Sequence, residues 1–305
     1  MPVIDAAARR FVAEHYGSRV TDVRALGAGE WSRAYAMVLD GRRVVIRFGD
    51  HVEDFGKDRV MAAHGCAALP IPAVIEIGAA DDGYFAVSEQ ATGEALDGLG
   101  EPGMRVVLPG LLAALDAIRQ VSVPGSRGYG IWAPDGIGPA ASWPQALLAI
   151  NQETTRVSGW RAALQRVPAS ARCFDRAYAR LRELAAGLPR ERHVIHGDLL
   201  NRNVLVQGSQ ITAVIDWGNA LFGDCLYDAA WLIYWWPWYP RWQAIDIIAQ
   251  LRSHWEQEGK LPDLDHRLHA YQLRIGLDAM SYCAFRSRWD DLARNTAQVA
   301  ELIYD

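Results

Sequence analysis

The sequence predicts an α+β chain in two lobes, a small β-rich lobe followed by a larger, mostly helical lobe that carries one embedded β-hairpin. Three observations predict it. Apolar runs of strand length crowd residues 20–48, and an Asp-Gly pair between two of them is a strong hairpin signal. A Gly- and Pro-rich stretch, TGEALDGLGEPGM (92–104), then breaks the pattern. Beyond it the apolar spacing is helical, except at 193–216, where β-type runs return.

Taken in order, MPVIDAAARRFVAEHYG sets Val3, Ala7, Phe11 and Val12 on roughly one face and predicts an opening helix. RALGAGEWSRAYAMVL, the turn Asp40-Gly41 and RVVIRF predict three short strands. Residues 53–68 follow as a helix, stopped by the two prolines of LPIP (69–72). AVIEIG and YFAVSEQ add two strands, which completes a lobe over residues 1–92. The second lobe, 93–305, is helical from 105 to 190 around the loop PGSRGYGIWAPDGIGPAAS (124–142), and helical again from 224 onward.

Composition narrows the function classes. The net charge of −5 argues against a broad basic nucleic-acid binder. No apolar run reaches the roughly 18 residues of a membrane span. The opening segment carries acids and departs from a signal peptide, so a cytoplasmic location is expected. Cys66, Cys173, Cys225 and Cys283 are scattered without metal spacing and are expected as free thiols. Twelve tryptophans are many, and several cluster in WLIYWWPWYPRW (231–242).

The chemistry concentrates in HVIHGDLLNRNVLVQGSQITAVIDWGNALFGD (193–224). Asp198 leaves an apolar run, Asn203 follows five residues later, and Asp216 ends the next run but one. The runs VLV and ITAVID are spaced to pair as a hairpin, which brings Asp198, Asn203 and Asp216 to one end. Three oxygen-bearing side chains there suit a hard cation such as Mg²⁺. Phosphoryl transfer asks for such a set: one carboxylate for the attacking hydroxyl, an Asn and a second Asp for the metal. Protein kinases carry these parts as HRD, a following Asn and DFG. Here they are His196-Gly197-Asp198, Asn203 and Asp216-Trp217-Gly218.

HGDLLNRN and IDWGNALFGDCLYDAA resemble the signature segments of the aminoglycoside phosphotransferase and choline kinase families, relatives of the protein kinases. GEWSRAY, GKDRV with ALPIP, GIWAPDGIG, ITAVIDW, LFGD and LRIGLD resemble, in order, the aminoglycoside branch that acts on hygromycin B. The resemblance covers nearly the whole chain. It implies a bilobal protein-kinase-like fold and transfer of the γ-phosphate of ATP or GTP to a hydroxyl. Asp198 is then the catalytic base, touching the acceptor, and Asn203 and Asp216 are the magnesium ligands. His196 is expected to brace the loop. Asp224 and Asp228 resemble a GDxxxD segment and are expected to support the site or start the next helix, with Asp224 as its cap; Asp228 is also counted among the acceptor-side acids.

On the nucleotide side, Gly27, Gly29 and Ser32 form a turn that lets backbone approach phosphate. Arg47 stands where the kinase pattern has Lys, and its fork can still bind phosphate. Asp58 is its expected acidic partner. The purine is expected against the backbone of Ser88, Glu89 and Gln90. The implied partner is a cationic aminoglycoside, hygromycin B before others, with no nucleic acid, no membrane and a monomeric chain. Its pocket calls for carboxylates and aromatic faces, for which Asp278, Trp235 and Trp238 are candidates; Trp132 and Asp135 are further ones. Such a phosphorylated drug would lose its hold on the ribosome, which makes resistance the expected role. Two other readings stay open: a kinase of a small metabolic alcohol (choline, homoserine or a sugar), and a nucleotide-binding protein without catalysis. The intact Asp198, Asn203 and Asp216 argue against the second.

Overall fold

A computed structural model describes residues 6–200, 202–258 and 261–304. Helix α1 (Ala6–Tyr16) lies on a five-stranded antiparallel sheet, β1 (Val20–Ala28), β2 (Ser32–Leu39), β3 (Arg42–Gly49), β4 (Val74–Ala80) and β5 (Gly83–Glu89), in the order β1-β2-β3-β5-β4. The face of α1 that reaches the sheet is Ala8, Val12 and Tyr16, against Tyr35, Met37 and Phe85. The sequence expectation was Val3, Ala7, Phe11 and Val12, of which Phe11 and Val12 do meet the sheet. Ala7 is exposed, because the i, i+4, i+8 row that includes Val12 passes through Ala8; Val3 lies outside the described residues. Asp40 and Gly41, with φ of +49° and +79°, make the two-residue β2–β3 turn that the right-handed strand twist favours.

Helix α2 (Val52–Ala62) packs beneath the sheet and ends earlier than the prolines predict. His64 and Gly65 leave the helix, and the chain then closes a tight loop in which Cys66 and Leu69 exchange backbone hydrogen bonds of 3.0 and 3.1 Å. That loop docks on the second lobe: Val214 N–H donates to Pro70 O at 2.7 Å.

After β5, β6 (Glu94–Ala95) pairs with Leu205 and Val206 of the embedded hairpin, so the chain changes lobes between Glu89 and Glu94. Then come α3 (Glu101–Gln120), β7 (Gly130–Ile131), α4 (Trp143–Leu148), α5 (Trp160–Gln165), α6 (Pro168–Ala185) and β8 (His193–Ile195). The hairpin itself is β9 (Val204–Gln207) with β10 (Gln210–Val214). β11 (Leu221–Gly223), α7 (Leu226–Trp235), α8 (Ile247–Glu258), α9 (Leu264–Phe285) and α10 (Trp289–Leu302) complete the lobe. Leu111, Phe174, Leu181, Leu232, Leu273 and Val299 are among the residues of its large apolar core, contributed by α3, α6, α7, α9 and α10.

Part of the tryptophan cluster belongs to that core. Trp236 donates to Trp242 O and Ile245 O, and Trp242 donates to Leu99 O at 2.9 Å. Asp224, expected as a helix cap, does accept from Leu226 N–H at 3.1 Å. Its main partner is Arg267, bidentate at 2.6 and 2.7 Å, with the Tyr271 hydroxyl also donating to it. Both ions are almost fully buried, 0% and 3% exposed. Removing one member strands the other in a low-dielectric interior, so Asp224→Ala is expected to cost about 3–5 kcal/mol, read from urea unfolding against the wild type.

Candidate active site

Strand β8 delivers His196, Gly197 and Asp198 to the mouth of the cleft. His196 is fully buried, and burial lowers its pKa to about 4 despite the opposing bond to Ile215, so the ring is neutral near pH 7. Its Nε2 lies 3.0 Å from Ile215 O, and its Nδ1 accepts the Asp198 N–H at 3.2 Å. That pattern assigns the proton to Nε2. The expectation that His196 braces the loop agrees with this placement. Gly197 has φ of +77°, and a Cβ there would meet Leu221 at 2.8 Å and Asn219 O at 3.0 Å. Leu199 and Leu200 anchor the far side of the loop in the core.

Asn203 and Asp216 reach the same end of the hairpin because Val204 pairs with Val214 and Ile215 N–H donates to Asn203 O at 2.9 Å. Asn203 Nδ2 donates to Asp198 O at 2.8 Å, which leaves Oδ1 as the amide's acceptor for a ligand. Asp216 holds φ of +63°, and its carboxylate is half exposed, with Arg47 Nη1 3.8 Å away. An all-oxygen set with one exposed carboxylate fits a hard divalent cation.

The nucleotide side is anchored by Arg47. Its guanidinium pairs with Asp58, whose Oδ1 also accepts Trp217 N–H at 2.8 Å. Burial opposes the Arg47 charge, yet Asp58 and Asp216 hold its pKa above the ordinary value. Burial and the Asp216 charge push the Asp58 carboxyl up, while Arg47 and Trp217 N–H pull it down; with two donors on it, the carboxylate is the form the geometry supports. Gly29 N–H donates to Ser32 O at 2.8 Å and closes the β1–β2 turn, with Gly27 inside β1. At the other end of the sheet, Glu89 N–H is bonded to Ala73 O and Gln90 N–H to Arg43 O. Two of the donors expected to meet the purine, which follow Ser88, are therefore already taken in this conformation. A cleft of about 410 Å³ lies beside them, lined by Pro70, Pro72, Glu89, Gln90, Ala91 and Thr212. It does not include Asp198, Asn203 or Asp216, so the donor set and not this cleft locates the chemistry.

On the acceptor side, Asp278 is half exposed on α9, 3.5 Å from Arg274. Trp235 packs between Trp231 and Trp238, with centroids 5.8 and 5.2 Å away. Trp238 donates to Gln298 Oε1 at 2.9 Å and lies under the Arg294 guanidinium at 3.9 Å.

The sequence profile of the phosphotransferase enzyme family matches residues 22–261. The chain belongs to that family. It is 33% identical over 288 residues to hygromycin-B 4-O-kinase of Escherichia coli, covering 93% of this chain and 81% of that protein. Its fold matches the crystal structure of a thermostable mutant of the aminoglycoside phosphotransferase APH(4)-Ia in a ternary complex with AMP-PNP and hygromycin B. The TM-score is 0.84 at 33% identity, with 98% of each chain covered. Spectinomycin phosphotransferase APH(9)-Ia, 14% identical, shares the fold alone, with a TM-score of 0.65 over 100% of this chain and 98% of that one.

Within this phosphotransferase, two expectations change. Asp228 agrees with the reading that it supports the site and not with its place among the acceptor-side acids: it is 2% exposed, and its two oxygens accept the His196 and Gly197 N–H groups, each at 2.8 Å. Trp132 is buried and stacked on Phe222 at 5.2 Å, so it belongs to the core. Asp135 is exposed, and its Oδ1 accepts Ile137 N–H at 2.9 Å.

Other residues lie within the motif segments GEWSRAY and GKDRV but were given no role from the sequence. Lys57, 2% exposed, donates to Gly218 O. Glu30 and Trp31, at the tip of the β1–β2 turn, reach the second lobe. Glu30 pairs with Arg288 and accepts from Tyr282 OH at 2.8 Å. Trp31 faces the guanidiniums of Arg286 at 4.8 Å and Arg156 at 5.5 Å. Tyr282 sits four residues beyond Asp278, one turn along the same side of α9.

Burial raises the Asp228 carboxyl from 3.8 to about 6, against the two backbone donors. Between those values the folded chain keeps a proton that the unfolded chain has released. The group's stabilising contribution is therefore full below pH 4 and lost as pH rises through about 6. Asp228→Asn has no such titration. The stability of wild type relative to Asp228→Asn, from urea unfolding at a series of pH values, is expected to fall from pH 4 to 6 and stay flat above.

Proposed function

We propose that this phosphotransferase moves the γ-phosphate of ATP or GTP to a hydroxyl of an aminoglycoside, hygromycin B before others, and so confers resistance to it. What supports the acceptor most is the 33% identity to hygromycin-B 4-O-kinase along 93% of the chain. The small lobe, 1–92, holds the nucleotide, and the larger, 93–305, holds the acceptor and the catalytic loop.

Asp198, carried on a loop whose backbone is fixed by Asp228, His196 and Asn203, takes the proton of the attacking hydroxyl. The hydroxyl oxygen bonds to the γ-phosphorus, the bond to the β,γ-bridging oxygen breaks, and the nucleoside diphosphate leaves. Asn203 and Asp216 are the residues that would hold Mg²⁺, which neutralises phosphate charge when bound. Arg47, kept charged by Asp58 and Asp216, meets the α- and β-phosphates. Gly27, Gly29 and Ser32 shape the turn that covers them. Ser88, Glu89 and Gln90 border the purine, with the bonds of Glu89 and Gln90 to Ala73 and Arg43 rearranging or the purine using neighbouring backbone. Asp278, Trp235 and Trp238 face the acceptor, Asp278 attracting its amines.

Positioning and charge neutralisation carry such a reaction, with little covalent work for the protein. The test is release of nucleoside diphosphate with Mg²⁺ and ATP or GTP, against hygromycin B, a kanamycin, a spectinomycin, choline and homoserine. Turnover is expected on hygromycin B, reduced about 10²–10⁴-fold in Asp198→Ala. Turnover on choline or homoserine alone would keep the chemistry and discard the antibiotic.

A further inference from the structure

Helix α2 turns one face toward the Asp216-Trp217-Gly218 turn. Asp54, Lys57, Asp58 and Met61 follow the spacing i, i+3, i+4, i+7 that aligns side chains on one side of a helix. Asp58 holds the Trp217 N–H at 2.8 Å. Lys57 Nζ donates to the Gly218 carbonyl. The Asp54 carboxylate lies so close to Gly218 that a Cβ there would sit 2.9 Å from its Cγ, and Arg156 neutralises that carboxylate at 3.0 and 3.1 Å.

Lys57 is the costly member of this group. Lysine is almost never fully buried, yet Lys57 is 2% exposed, and burial lowers its pKa to about 8. Among the described residues its one hydrogen bond goes to Gly218 O; the Trp132 ring, 5.8 Å away, faces the rest of the ammonium. Two residues before that carbonyl, Asp216 holds a left-handed φ of +63°. A non-glycine residue keeps such a backbone only where its surroundings over-determine it. Asp58 grips the peptide between Asp216 and Trp217 and Lys57 the one after Gly218, so the turn is held on both sides of Trp217.

We propose that Lys57 is a positioning residue for phosphoryl transfer: by holding the Gly218 carbonyl it fixes the backbone at Asp216 and keeps that carboxylate turned to Asn203 and the phosphates. The inference rests on reading Asn203 and Asp216 as the cation ligands. Lys57 touches neither substrate nor ligand atoms; it acts through the turn.

The test uses Mn²⁺ bound to the protein with AMP-PNP, measured by electron paramagnetic resonance, together with steady-state kinetics. Lys57→Met keeps an unbranched apolar stem, one atom shorter, and removes the donor; circular dichroism and a thermal melt check that it folds. The expected result is Mn²⁺ affinity weakened about 10–100-fold, as for other partners that orient metal ligands, with kcat lowered and the acceptor KM unchanged. Lys57→Leu, which also lacks a donor, is read the same way and decides if the methionine variant does not fold. Wild-type Mn²⁺ affinity in the folded variant, with Asp216→Asn losing it, overturns the proposal and leaves the site reading standing. Unchanged affinity in Asp216→Asn as well overturns the cation reading and the proposal together.

Discussion

A buried ion pair, Arg47 with Asp58, joins three pieces of chain that the sequence keeps far apart. Arg47 belongs to β3, Asp58 to α2, and the second oxygen of Asp58 holds the Trp217 N–H of the large lobe. Neither charge has much water, so each needs the other. The same pair therefore also fixes the turn that carries Asp216. On the proposed roles of Arg47 and Asp216, nucleotide contact and metal-ligand placement are one structural problem, and α2 is where it is solved.

The parts legible in the sequence are those in which chemistry and local geometry coincide. Asp198, Asn203 and Asp216 could be placed together because their spacing and the apolar runs between them define a hairpin. The Asp40-Gly41 turn was legible for the same reason. Arg47 and Asp58 were paired by analogy with the kinase strand and helix, and the structure does bring them together. What failed needed a contact across the fold. Asp228 reads as a polar residue in an apolar helix, which suits a substrate-facing acid as well as a buried one. Only the packing of α7 beneath the catalytic loop turns its carboxylate to two backbone donors. Lys57 lies in GKDRV, but its role could not be read there, since its partner is a carbonyl 161 residues away. On α1, Phe11 and Val12 were placed correctly and only Ala7 stood for Ala8, because the two are equally apolar and only the sheet chooses between them.

The end proposed to receive the acceptor is built on different terms. The backbone of the catalytic loop is held by fully buried donors and acceptors, whereas Asp278 is half exposed and paired only at 3.5 Å. A carboxylate in that state can exchange a loose internal partner for an amine of the acceptor at small cost. Trp238 spends its N–H on Gln298 and its face on Arg294, so it offers shape at this end more than hydrogen bonding. Specificity for an acceptor then depends on a surface whose polar groups are only partly committed, which is also why the sequence says least about it.

The two ends of the cleft differ in how strongly they hold the lobes together. At the back, Arg47, Lys57 and Asp58 are nearly dry, and separating their contacts would expose uncompensated charge. At the front, Glu30 meets Arg286, Arg288 and Tyr282 with the carboxylate 42% exposed and Arg288 44%. Burial opposes the Glu30 charge, but its bonds to Arg288 and Tyr282 and the two guanidiniums hold its carboxyl below the ordinary range. Exposed pairs of this kind are worth about 0.2–1 kcal/mol each and are screened by salt. The tip of the β1–β2 turn is thus closed by weak, replaceable contacts while α2 stays locked.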